Sequence, residues 1–173
     1  MNTSLIKNPI VLFLLKALAL YLLWYVLYVL WLHPYEKCDL FVIDKTLAMS
    51  KKTLELMQFK LFTGTDRLIG IEGTNGLWMG DNCNGIELFA LFSGFIIAYP
   101  GPWLKKIIFI PLGILSIQIL NSLRVVALAI IEIRSIKLTE FNHSYTFTIL
   151  MYGYIFFLWM LWVNKFSVKK IHE

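Results

Sequence analysis

Apolar residues run from Ile10 to Leu32 with Lys16 as the one interruption, and these 23 residues exceed the about 20 that a helix needs to cross the hydrocarbon core of a bilayer. The segment predicts a first membrane span, with Lys16 near enough to its N-terminal end to extend its ammonium toward the headgroups. It is too long for the apolar part of a signal peptide, and His33-Pro34-Tyr35-Glu36-Lys37 offers no small-residue cleavage site, so the span is expected to stay as an anchor. Three more apolar runs follow. One covers 85–100 and is closed by Pro100-Gly101-Pro102; one covers 107–131 and is interrupted by Pro111 and by the polar series Gln118, Asn121, Ser122 and Arg124; the last covers 145–163 and is rich in Tyr, Phe and Trp. The pattern predicts an all-α integral membrane protein, a four-transmembrane-helix bundle in a single membrane domain covering 1–173.

Between the first two spans, residues 33–84 are too polar to lie in lipid and form an extramembrane region. Leu47, Leu54, Met57 and Leu61 share one helical face, with Lys51, Lys52, Glu55 and Lys60 elsewhere, which predicts an outward-facing amphipathic helix lying on the membrane. Further on, residues 67–72 and 77–79 flank Gly73-Thr74-Asn75-Gly76, whose Asn-Gly pair is a strong signal for a short β-hairpin. Such a hairpin would deliver the chain to Cys83 in a fixed direction.

Composition agrees with a membrane protein. Apolar residues make up 58% of the 173 and the mean hydropathy is +0.69, against roughly 45–50% apolar content in soluble domains. The formal charge of +5 lies largely in short segments beside the apolar runs, where it sets orientation instead of marking a nucleic-acid partner. Four crossings put Lys7, Lys105, Lys106, Lys165, Lys169 and Lys170 on one side, which the excess of basic residues assigns to the cytoplasm. Both termini are then inside, and 33–84 and 132–144 face outward. The two cysteines, Cys38 and Cys83, fall in no CxxC or Cys/His pattern with zinc spacing, so neither a metal nor a cofactor is implied.

The chemistry of interest gathers at one depth. Cys83 precedes the second span, His143 precedes the fourth, and Arg124 stands 17 residues into the third, about 25 Å from its inner boundary at 1.5 Å per residue. All three reach the outward boundary. An arginine in a membrane helix is costly and turns toward the bundle interior; Asn121 and Gln118 on the same face would hold it or line a groove, and Glu87, four residues after Cys83, would supply its countercharge. Asn82 and Asn84 surround the thiol with polar donors. At a helix N-terminus beside a guanidinium, the thiolate of Cys83 would be stabilised; His143 would take its proton and return it to a leaving amine; Arg124 would stabilise an oxyanion. These parts make acyl transfer the natural reaction class. A second reading stays open: a non-enzymatic assembly or export factor in which Cys38 and Cys83, both outward, form a structural disulfide and Arg124–Glu87 is a structural ion pair.

Asp81-Asn82-Cys83-Asn84-Gly85-Ile86 before one span, Asn121-Ser122-Leu123-Arg124 within the next and Asn142-His143 before the last resemble the exosortase/archaeosortase family of membrane cysteine transpeptidases, over roughly residues 70–160. The resemblance implies Cys83 as nucleophile, Arg124 as electrostatic stabiliser and His143 as acid/base. Many members have about eight spans and a Ser or Thr after the cysteine; four predicted spans and Asn84 are similar to a compact, F-type exosortase-like form. The implied function is cleavage of C-terminal sorting signals on exported proteins at the outer face of a bacterial cytoplasmic membrane, with transfer of the new carboxyl end to an acceptor amine. The implied partners are exported proteins carrying a C-terminal transmembrane signal, and membrane lipid. Gly94 and Ala98, four apart on the second span, would let a substrate helix approach closely, or pack within the bundle.

Overall fold

The computed structural model describes residues 8–63 and 67–167. Helix α1, Pro9–Trp24, is capped by Asn8, whose side chain accepts from the Ile10 N–H. It runs on through a wider π-type segment, Tyr25–Leu32, and a tight turn, His33–Tyr35, so that Pro9–Tyr35 is one apolar helix of 27 residues. Glu36, with φ of 54°, turns the chain directly into α2, Lys37–Leu56. Three strands follow, β1 (Leu61–Thr63), β2 (Leu68–Ile71) and β3 (Leu77–Trp78). They form an antiparallel sheet in that order, with Leu61 opposite Ile71 and Ile69 opposite Leu77. Helix α3 is Ile86–Ala98 and α4 is Trp103–Glu132. A short α5, Ile136–Phe141, continues through a π-type turn at Asn142–Thr146 into α6, Phe147–Lys165.

Three of these helices, Pro9–Tyr35, Trp103–Glu132 and Ile136–Lys165, are long and apolar enough to cross a membrane. That makes the chain a multi-pass membrane protein. The run predicted as the second span forms α3, whose 13 residues rise only about 20 Å, short of a hydrocarbon core of roughly 30 Å. Pro100-Gly101-Pro102 ends it, and Lys106, buried, closes it by donating from Nζ to the carbonyls of Ile97 at 2.9 Å and Tyr99 at 2.6 Å. Pro111 interrupts the apolar run but not the helix, which stays continuous over 30 residues.

Helix α4 joins two cores. One is Phe92 and Ile96 of α3, Ile117 of α4, and Met151, Ile155, Leu158 and Trp162 of α6. The other is Ile43, Leu47 and Leu54 of α2, Ile69 and Ile71 of β2, Met79, and Val125, Val126 and Ala129 of α4. The residues between them on α4, 118 to 124, lie at the seam.

The amphipathic helix differs from expectation. The face predicted for lipid packs along α4: Gln118 Nε2 donates to Thr46 Oγ1 at 2.7 Å, and Ser50 Oγ bonds Ser122 Oγ at 2.9 Å. Both partners advance four residues, so the two helices run side by side in one direction. Its buried face is Asp39, Ile43, Thr46, Leu47, Ser50 and Leu54; Met57 lies exposed beyond the helix and Leu61 belongs to β1. Apolar periodicity alone does not distinguish lipid from protein. The polar residues interleaved on this face do, because they match the polar stripe of α4, and lipid could not satisfy them.

Candidate active site

The chain approaches Cys83 through β3 and a single tight turn, Asp81–Cys83, entered from Gly80. Arg67, immediately before β2, donates from Nη1 to Asp81 Oδ1 at 2.7 Å and tethers the turn to the sheet. Gly85, at φ of 87°, then reverses the chain into α3; a side chain is disfavoured in that conformation. Asn84 Oδ1 accepts from the Ile86 N–H at 2.8 Å, capping α3 as an Asx turn does. Asn121 Nδ2 donates to the carbonyls of Cys83 at 3.1 Å and Asn84 at 3.3 Å. Cys83 is thereby held on its backbone by α4 and aimed by the turn.

The thiol meets the two residues that the sequence placed at its depth. Cys83 Sγ lies 3.1 Å from Nε2 of His143, which projects from the π-type turn ahead of α6. Such a turn shifts the facing of side chains by about one residue relative to an α-helix. Arg124 of α4 lies against the thiol and close to the imidazole. The three residues line two cavities. The larger, about 290 Å³, continues between α3 and α6, with Glu87, Leu88, Thr148, Met151 and Tyr152 in its wall. The smaller, about 50 Å³, is apolar and opens toward the sheet, with Ile69, Leu77, Met79, Val125 and Leu128.

Several expected contacts are absent. Among the described residues no ion pair joins Arg124 to Glu87, and Glu87 is an exposed member of the larger cavity wall. Gly85, left-handed, separates the turn that holds Cys83 from the helix that holds Glu87, so the two residues do not share a helical face. Gln118 and Asn121 do not hold the guanidinium either; one bonds α2 and the other the nucleophile turn. Both cysteines are free, Cys38 exposed and Cys83 partly buried, so neither the disulfide nor the ion pair of the structural reading is formed. The side chain of Asn82, and Lys7, Lys169 and Lys170, lie outside the described residues. A methyl added at Gly94 would meet nothing within 4 Å, whereas Ala98 is buried; an open surface is thus present at the first alone.

The sequence did not single out Asp39, Tyr28 or His33. Asp39 accepts hydrogen bonds from Tyr28 Oη and Asn84 Nδ2 and lies 3.1 Å from His33 Nδ1. An acidic residue on the buried face of an otherwise apolar helix pattern was the available signal. Among the described residues no three His, Cys, Asp or Glu side chains converge as a metal ion would require.

Chemically, the arrangement offers a nucleophile within proton-transfer distance of an imidazole and a fixed fork of donors beside both. A sequence model for the transmembrane exosortase family matches residues 9–164. No curated protein and no solved structure matches the chain.

Proposed function

Since the chain belongs to the transmembrane exosortase family, we propose that it is a membrane cysteine transpeptidase or protease that cleaves C-terminal sorting signals of exported proteins through a thioester on Cys83. The observation that carries this reading is the 3.1 Å separation of Cys83 Sγ from His143 Nε2, with Arg124 beside both. His143 takes the thiol proton and the thiolate attacks the scissile carbonyl. Arg124 stabilises the oxyanion that forms, a contribution worth about 10²–10³ in rate for one well-placed donor in other acyl-transfer sites. Collapse of the tetrahedral intermediate breaks the C–N bond, and His143 returns its proton to the departing amine. An acceptor amine, or water, then attacks the thioester and frees Cys83.

The two cavities give the substrate a direction. The larger one follows α3 and α6 along the apolar bundle, and suits the leaving side with its membrane helix. The smaller one lies among the sheet and the far end of α4, and suits the acyl side, which stays with the exported protein. On this reading α3 is a short fourth crossing, both termini are cytoplasmic, and the site faces outward across a bacterial cytoplasmic membrane.

The test uses Cys83→Ala and Cys83→Ser in a host carrying the substrate. Both are expected to abolish processing, and mass spectrometry of the unaltered enzyme should detect an acyl adduct on Cys83. Unchanged processing in both variants would refute the assignment.

A further inference from the structure

Asp39 is fully buried, at 0% exposure, and no step of the proposed reaction uses it. Removing a carboxylate from water costs several kcal/mol unless its oxygens are bonded, and here both are engaged. Oδ1 accepts from Tyr28 Oη and Asn84 Nδ2, and Oδ2 faces His33 Nδ1. Tyr28 is itself the one buried side chain among the described residues of the Pro9–Tyr35 helix, stacked on Trp24 at 4.3 Å between ring centroids. The network therefore ties the end of that helix and the first turn of α2 to a single amide, that of Asn84. Asn84 is 1% exposed, adjoins the nucleophile, caps α3 through Ile86 and gives its own carbonyl to Asn121. Its side chain has no freedom left once Asp39 holds Nδ2 and Ile86 holds Oδ1.

We infer that Asp39 is a positioning residue for the nucleophile: through Asn84 it fixes the turn so that Cys83 Sγ meets His143 and Arg124. A purely architectural link between helices would be served as well by apolar side chains, and it would not converge on the residue next to the thiol. The inference rests on the proposed function only in giving Cys83 a reaction to be positioned for. The groups facing Cys83 from the elements around it are His143 on the π-type turn, Arg124 on α4 and Glu87 on α3. Asp39 reaches none of them directly and acts through the turn alone.

The experiment follows alkylation of Cys83 by iodoacetamide across pH in full-length protein carrying Cys38→Ser, which leaves one thiol, with thermal unfolding measured in parallel. Adding His143→Ala to this protein should change the pH profile. Asp39→Ala should lower the neutral-pH rate by about tenfold, the lower end of what loss of a supporting contact typically costs, and should make the profile indifferent to His143→Ala. Exchanging the pair, Asp39→Asn with Asn84→Asp, rebuilds the bond in reverse and should restore the rate to within about threefold. That threefold is under 1 kcal/mol at RT of about 0.59 kcal/mol. Where Asp39→Ala does not fold, Asp39→Leu, which keeps the volume and removes both acceptors, and the exchanged pair are read in its place. A folded Asp39 variant with the unaltered profile, effects of Asp39→Ala and His143→Ala that simply add, or a folded exchanged pair without recovery each overturns the inference. A Cys83 that is indifferent to His143→Ala from the start sinks the proposed function instead.

Discussion

Replacement of Asn121 by Leu and by Asp tests how the nucleophile turn is fastened to α4. The side chain is 1% exposed, and its whole contribution lies in Nδ2, because Oδ1 has no hydrogen-bond partner. The bond to the Cys83 carbonyl, at 3.1 Å, falls in the normal range for N–H···O contacts; that to the Asn84 carbonyl, at 3.3 Å, is longer and weaker. Cys83 borders the larger cavity, so its carbonyl regains a water and its loss costs about 0.5–1.5 kcal/mol, whereas Asn84 is 1% exposed and its dry carbonyl costs about 1–3 kcal/mol. Asn121→Leu should therefore destabilise by about 1.5–4.5 kcal/mol. Asn121→Asp keeps the shape but replaces the donor with a carboxylate oxygen set against two carbonyl oxygens, with Arg124 one helical turn along the same cavity wall as a neighbouring cation. It should destabilise as well, because the donor is lost and a buried carboxylate carries its own desolvation cost. The measurement is equilibrium unfolding in detergent micelles, with Cys83 alkylation as a local readout that should slow in both variants. A Leu variant within about 0.5 kcal/mol of the unaltered protein, or an Asp variant as stable as the unaltered protein, would show that Nδ2 does not hold the turn.

Arg124→Lys keeps a charge but loses the planar fork of donors; processing should fall by about 10²–10³ while iodoacetamide still labels Cys83, and normal processing would remove the assigned role. Val125→Phe fills the smaller cavity and should slow acylation by a peptide electrophile with a branched acyl-side residue by about 10-fold or more, leaving iodoacetamide labelling unchanged; equal slowing of both reagents would contradict the direction given to the substrate. Gly113→Ala would place a methyl 2.2 Å from Cζ of Phe92, whose ring is fully buried. Thermal unfolding should show a loss of about 1–3 kcal/mol from overpacking, relieved by Phe92→Leu in the same chain. Absence of any loss would mean that the α3–α4 contact is looser than described.

That Cys83, Arg124 and His143 come together was legible because the rise of a helix is constant, and counting residues from a span boundary needs no tertiary information. What counting could not supply was lateral facing. Glu87 shares a face with Cys83 only where one helix holds both, and the left-handed Gly85 between them separates the two elements. Asn121 and Gln118 were correctly set on the inward face of α4, but which neighbour claims an inward amide depends on packing between distant segments. One found the Cys83 turn and the other Thr46, 72 residues away. The same limit hid Asp39, whose partners come from α1 and from the turn. Strand β1 escaped notice because three residues, Leu61–Thr63, carry no alternation to detect, and the sheet around β2 supplies what the local pattern lacks.

The brevity of α3 reaches beyond the protein. A helix of 13 residues is about 10 Å too short for an average hydrocarbon core. If it crosses, the bilayer beside it must thin or its headgroups must dip to meet the thiol, at a cost of fractions of a kcal/mol per Å. Hydrophobic mismatch then makes the lipid a participant in the reaction. In vesicles of short-chain lipid the thioester would stand close to bulk water, which favours hydrolysis. Longer acyl chains would sink it beneath the headgroups, where a lipid-borne or peptide amine is the nearer nucleophile. The partition between release and transfer would thus be set by acyl-chain length as much as by any side chain.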